Sequence, residues 1–155
     1  MTDAVGICNL ALQRIGSKSI SSLTEDTAAG RACNRVYTQA RDSELRAHPW
    51  SFARERVQIA ADSTEGRYIL TDSGSPINLV YIKRITDEET FDELFVALLI
   101  ARIAMDIAEM VTHSNKKKEE ALFHYREVRK EARRVSAFER PPQELPTDTW
   151  LNARL

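Results

Sequence analysis

Residues 94–101, LFVALLIA, contain no polar side chain. A helix built from them is apolar on every side, so the rest of the chain has to surround it. The run is far shorter than the roughly 20 residues a membrane span needs. Arg102, Asp106 and Glu109 follow it directly. The segment therefore predicts a buried central helix in a bundle with one core. Thr86 and Glu89 stand ahead of it at capping-box spacing, which predicts a start there and a helix to about Val111.

The flanking sequence supplies helices to wrap around it. Residues 3–15 place Val5, Cys8, Leu12 and Ile15 on one face, with Thr2 as the expected cap and Gly16 as the stop. A second helix is expected from about Glu25 to Ala47. Thr24 is its expected cap, Ala29, Cys33, Val36, Tyr37 and Ala40 form its apolar stripe, and Pro49 ends it. A fourth helix, from about Asn115 to Phe138, carries Leu122, Tyr125, Val128, Ala132 and Val135 on one face. Between the second and third helices the pattern shifts to period two. RYIL (67–70) and INLVYIKRI (77–85), separated by the turn signals SGSP, read as a small antiparallel hairpin, with residues 56–60 as a third strand.

The expected fold is thus mainly α: a four-helix bundle with a small β-hairpin insertion and an extended C-terminal arm. Residues 1–138 form the helical domain, with its β element at about 56–85. Residues 139–155 form the arm, extended by its prolines. A length of 155 residues suits one domain, and 43% apolar with 29% charged residues reads as globular. The net charge of −1 gives no global attraction to nucleic acid or anionic membrane. Cys8 and Cys33 lie in apolar helical patterns and read as reduced core residues of a protein made in the cytoplasm. The opening stretch, with an early acid and no basic region, predicts no secretory leader.

Few residues are arranged for catalysis. Arg102, Asp106, Glu109 and His113 share one helical face, which suits either an acid–base site or a stripe of ion pairs. Glu-x-x-His spacing on a helix is missing, as are G-x-S-x-G, a P-loop and G-x-G-x-x-G, so neither a metal, a cofactor nor an enzymatic activity is expected. Residues 116–134 hold eight Lys/Arg against four Glu. These could meet phosphates, but the interleaved acids suit a solvated face better. Pro49, Trp50 and Phe52 read as a structural hinge sealing the helix pair where the β element begins. Trp150 stands beside Leu151 in a proline-rich stretch, and it either folds back on its own domain or docks on a partner.

Together these elements resemble a known family. ICNLALQRIGSKSISSLTEDT is followed by AAGRACNRVYTQARDSELRAHPWSFARER, then YILTDSGSPINLVYIKRITD, the central apolar helix and PPQELPTDTWLNAR. Their order is similar to that of the head-to-tail adaptor proteins of short-tailed phages, which include the podovirus tail accessory factor and the tail tubular protein A, or gatekeeper, type. The short β region between residues 60 and 86 places the resemblance nearer the compact tail-accessory type. The resemblance implies a structural virion protein of the head–tail junction, made in the bacterial cytoplasm. Twelve copies would ring the dodecameric portal protein, extend the DNA channel and offer a platform to downstream tail proteins. The implied partners are the portal, neighbouring copies, tail proteins and packaged DNA that passes without sequence-specific binding, and no membrane. Pro141, Pro142, Leu145, Pro146, Trp150, Leu151 and Arg154 are the expected portal-docking residues. The rival readings are a virion-associated peptidoglycan hydrolase and a DNA-binding helical module.

Overall fold

The computed structural model describes residues 3–59 and 77–139. Among the described residues there are four α-helices: α1 (Ala4–Arg14), α2 (Ala28–Ala47), α3 (Glu93–Thr112) and α4 (Asn115–Phe138). Two antiparallel strands, β1 (Arg54–Ile59) and β2 (Ile77–Ile82), stand between α2 and α3. The architecture is the expected helical bundle with a small β insertion. The expected strand at 67–70, the SGSP turn and the arm at 140–155 lie outside the described residues.

The apolar run does what its composition requires. Phe95, Leu98, Leu99, Ile103 and Ile107 are fully buried, and α3 packs against each of the other three helices. Around it, Ile7, Cys8, Ala11 and Leu12 come from α1, and Cys33, Tyr37, Ala40 and Leu45 from α2. Tyr125 and Ala132 of α4 close the core.

Three helix starts differ from expectation, each for a local reason. In α1 the cap is Asp3, which accepts from Gly6 N–H at 2.8 Å, rather than Thr2. In α2 it is Thr27, accepting from Gly30 N–H at 3.0 Å, rather than Thr24. Glu25 before it holds the loop instead, accepting from Ser21 N–H at 2.8 Å. A Cβ at Gly30 would meet the Glu25 carbonyl at 2.6 Å, so the loop lies closely over the first turn of α2. The Thr86–Glu89 spacing does not open α3. Asp87 caps a single 3-10 turn (Glu88–Thr90), and Phe91 then takes an extended conformation. Phe91 packs against Phe95 at 5.1 Å between ring centroids, so core burial breaks the helix here. Asp92 caps α3 proper, accepting from Leu94 N–H at 3.0 Å.

Other boundaries follow the sequence. Gly16 has φ 71° and ends α1. Ser17 N–H reaches the Leu12 carbonyl and Gly16 N–H the Gln13 carbonyl, a Schellman closure. The loop after it is pinned by Asn9, whose side chain donates to the Ile20 carbonyl at 2.9 Å and accepts from Ile20 N–H at 2.7 Å. α3 and α4 are joined by His113 and Ser114 alone, which forces an antiparallel pair. His113 takes the left-handed conformation at φ 51°, a region where His is enriched among non-glycine residues.

In the β element, Arg54 pairs with Ile82 and Ile59 with Ile77. Residues 56–59, expected as an added third strand, are therefore partners of β2 directly. Residues 56–59 are all exposed, Val57 and Ile59 included, so period two does not bury one face of β1 here.

Candidate functional site

The expected hinge is a junction of three elements. His48 is extended, Pro49 follows, and the chain turns before entering β1. Trp50 is only 1% exposed. Its indole N–H donates to the Glu44 carbonyl at 2.8 Å, supplying a partner in the last turn of α2. The Trp50 ring meets Phe95 edge-on at 5.2 Å. Phe52 lies 5.1 Å from Phe95 and 6.2 Å from Phe91. From α4, Arg133 donates to the Ala47 carbonyl at 3.1 Å, and Ser136 Oγ accepts from Ser51 N–H at 3.3 Å. Trp50 and Phe52 thus pack the end of α2 against α3, and Ala47 and Ser51 tie it to α4.

Beside this junction lies a polar network that spans three helices. Glu44 of α2 is 2% exposed. Its Oε1 accepts from the Tyr125 hydroxyl at 2.6 Å and from Arg102 at 3.2 Å. Arg102 also donates through Nε to Asp106 at 2.8 Å. The guanidinium groups of Arg102 and Arg129 sit 5.6 and 5.7 Å from the Tyr125 ring centroid, within cation–π range. Burial opposes the charge on Arg102, but its bonds to Asp106 and Tyr125 outweigh that and raise its pKa. Burial, then the bond to Glu44, raises the Tyr125 pKa, keeping its proton on the hydroxyl that Glu44 needs as a donor. Glu44 Oε2, Arg129 Nε and Arg133 Nε are buried without a hydrogen-bond partner among the described residues.

Glu44 is absent from the sequence-based candidates, although a signal existed. It continues the steps of four, three and four through Cys33, Tyr37 and Ala40, so it falls on the buried stripe of α2. Of the shared-face set on α3, Arg102 and Asp106 enter this network. Glu109 instead contacts Lys118 of α4, whose hydrogen bond and charge lower its pKa. His113 forms the turn between the two helices. The set is therefore divided between an interior tie and the α3–α4 connection. Among the described residues, no group of three or more His, Cys, Asp or Glu side chains is placed to hold a metal ion.

Cys8 and Cys33 are free and buried. Hydrogen bonding between the two thiols and burial raise the Cys8 pKa, while the same bonding lowers that of Cys33 against the opposing effect of burial. The outer surface carries features the apolar stripes did not predict. Phe123 is 69% exposed and Phe138 82%. Phe123 stands on the outward face of α4 with Lys116, Glu127, Lys130 and Arg134, at steps of seven, four, three and four. Pro141, Pro142, Leu145, Pro146, Trp150, Leu151 and Arg154 lie outside the described residues. Among the described residues no helix is long and apolar enough to cross a membrane. Neither a protein-family model nor a curated protein matches this chain.

Proposed function

We propose that this chain is a structural head-to-tail adaptor of a short-tailed phage, forming a ring of twelve on the portal. One observation carries the reading beyond the sequence motifs. The long outer helix holds large apolar side chains in solvent, with Phe123 near its middle and Phe138 at its end. Exposed aromatics set among charges are the side chains that bury well against a partner surface. Inside the bundle Glu44, Tyr125, Arg102 and Asp106 bond to one another and hold α2, α3 and α4 together beneath that face.

In this reading neighbouring copies meet through helix faces whose single contacts are weak. The portal acts as a template that raises the effective concentration of neighbours. Residues 140–155 are the docking arm. Pro141, Pro142 and Pro146 limit the entropy lost on binding, and Trp150 with Leu151 supplies the apolar anchor. The ring extends the DNA channel and offers its far side to tail proteins, and it requires neither a cofactor nor catalysis.

The decisive experiment is to mix the purified protein with the cognate portal and image the product. A twelvefold ring on the portal is the expected result. Trp150→Ala should weaken that binding by about 2 kcal/mol or more per subunit. Its melting temperature should stay nearly unchanged. Truncation after Glu139 should weaken binding more. A truncated chain that assembles at full affinity removes the arm from the proposal. Failure to bind the portal, together with cell-wall clearing abolished by one carboxylate substitution, replaces it with a hydrolase.

A further inference from the structure

A cleft of about 360 Å³ opens where the end of α1 meets α3 and α4. Ala101 and Ala104 line it from α3, Arg14 from α1, and Lys117, Glu120 and His124 from α4. Arg14 donates to His124 Nε2 across the two helices. Lys117 Nζ spends one donor on the Ile15 carbonyl, at 2.6 Å, and thereby closes the end of α1. Among the described residues its other two N–H groups have no acceptor, which leaves them for the cleft. Among the described residues, neither Arg14 nor Lys117 belongs to an ion pair.

Three nitrogen-bearing side chains thus converge on one partly apolar space from two directions, against the single carboxylate of Glu120. Burial, and then the neighbouring Arg14 charge, lower the His124 pKa, so its ring accepts from Arg14 while neutral. The charged groups around the cleft then sum to one positive charge, and protonating His124 makes it two. Arg14 offers a forked pair of N–H groups, Lys117 a point charge and His124 a ring N–H. Donors arriving from separate helices suit the several oxygens of a tetrahedral anion better than the two coplanar oxygens of a carboxylate.

We infer that the cleft formed by Arg14, Lys117 and His124 binds a phosphate-type oxyanion, either free or carried on a polynucleotide. The bound anion sits against the Arg14–His124 contact and replaces cation–imidazole crowding with charge-assisted bonds. Binding favours protonated His124, so affinity rises as the pH falls through the His124 titration. The inference rests on this cleft and is independent of the adaptor reading.

Sulfate tests it directly, since it has the same shape and keeps its double charge through the neutral range. The His124 ring proton is followed by NMR across pH, with chloride and acetate at matched ionic strength as controls. Sulfate should raise the His124 titration midpoint saturably, while chloride and acetate leave it in place. Arg14→Gln should weaken sulfate binding about tenfold or more, the loss of one charge-assisted interaction. Its melting temperature without sulfate reports that the fold is retained. Should that variant fail to fold, calorimetry of sulfate binding to His124→Gln tests the same point, because binding must weaken and lose its pH dependence. Equal midpoints in all three salts, equal effects of acetate and sulfate, or an undiminished response in Arg14→Gln would overturn the inference. A short DNA duplex identifies the source. Displacement of sulfate with a steep salt dependence assigns the site to polynucleotide phosphate. Sulfate binding undisturbed by the duplex assigns it to the free anion.

Discussion

α3 and α4 lie side by side and have opposite duties. Nine of the 20 residues of α3 are buried, against three of the 24 in α4. α3 meets every other helix, whereas α4 gives one narrow stripe to the core and turns a charged face with Phe123 outward. Helix length says nothing about how much of the fold a helix supports. What separates the two is the density of apolar residues round the axis, which fixes how many neighbours a helix must have.

The contrast is broken most directly at Phe95. This side chain is fully buried and meets Trp50, Phe52 and Phe91. Phe95→Ala should cost about 3–5 kcal/mol, from lost transfer energy and the cavity left behind. Urea denaturation measures this, and Trp50 fluorescence should report a more polar site. A loss below about 1 kcal/mol would mean that the junction collapses onto the cavity and that α3 is not the fold's centre.

A smaller effect is expected where α4 does reach the interior. Tyr125→Phe removes the 2.6 Å bond to Glu44 and leaves that carboxylate with Arg102 alone. The expected loss is about 1.5–3 kcal/mol, because the acceptor is charged and buried. A double-mutant cycle with Glu44→Gln isolates the pair, and additive losses would show that the hydroxyl and the carboxylate act separately.

The outer face of α4 should contribute least to stability. Phe123→Ala should change stability by no more than about 0.5 kcal/mol, since alanine suits an exposed helix position. Under the proposed function the same variant should bind the portal or its neighbours more weakly. A stability loss comparable to Phe95→Ala would place Phe123 in the core. Unimpaired assembly would remove it from the interface.

These differences explain what the sequence made legible. Four helices and their main faces follow from periodicity, because burial of an apolar stripe is the strongest constraint on such a chain. The starts of α1, α2 and α3 were displaced because several oxygen-bearing residues compete at each. Thr86 and Glu89 have the right spacing, but Phe91 gains more from the core than a continuous helix would gain from their cap. The role of Glu44 is not legible in the sequence because a buried carboxylate is recognised by its partners, Tyr125 and Arg102, which lie 81 and 58 residues away. The Arg14–His124 cleft is equally illegible in the sequence, its two facing residues lying 110 positions apart.

The smallest predicted effect lies at that cleft and is a dependence on pH. Burial and Arg14 hold the folded His124 pKa below its ordinary value of 6.5. Just below that value the unfolded chain binds a proton that the folded chain refuses. Stability must therefore rise with pH through the window between the folded and unfolded pKa values, and level off above about 6.5. The paired carboxylates act in a lower range. Arg84 and Arg41 outweigh burial at Asp42 and lower its pKa, as Lys118 lowers that of Glu109. Their stabilising contribution is present above the unfolded carboxylate range and is lost as the pH falls through the folded values. Comparing the protein with His124→Gln at pH about 7.5 and about 5.5 separates the two, because the lowered carboxylates titrate below that range and the difference between the two proteins isolates His124 from the other two histidines. The unmodified protein should lose more stability than the variant on acidification, in the absence of sulfate. Equal losses would show that Arg14 and burial do not disfavour the imidazolium, while a smaller loss in the unmodified protein would reverse the sign and place an acidic neighbour beside His124.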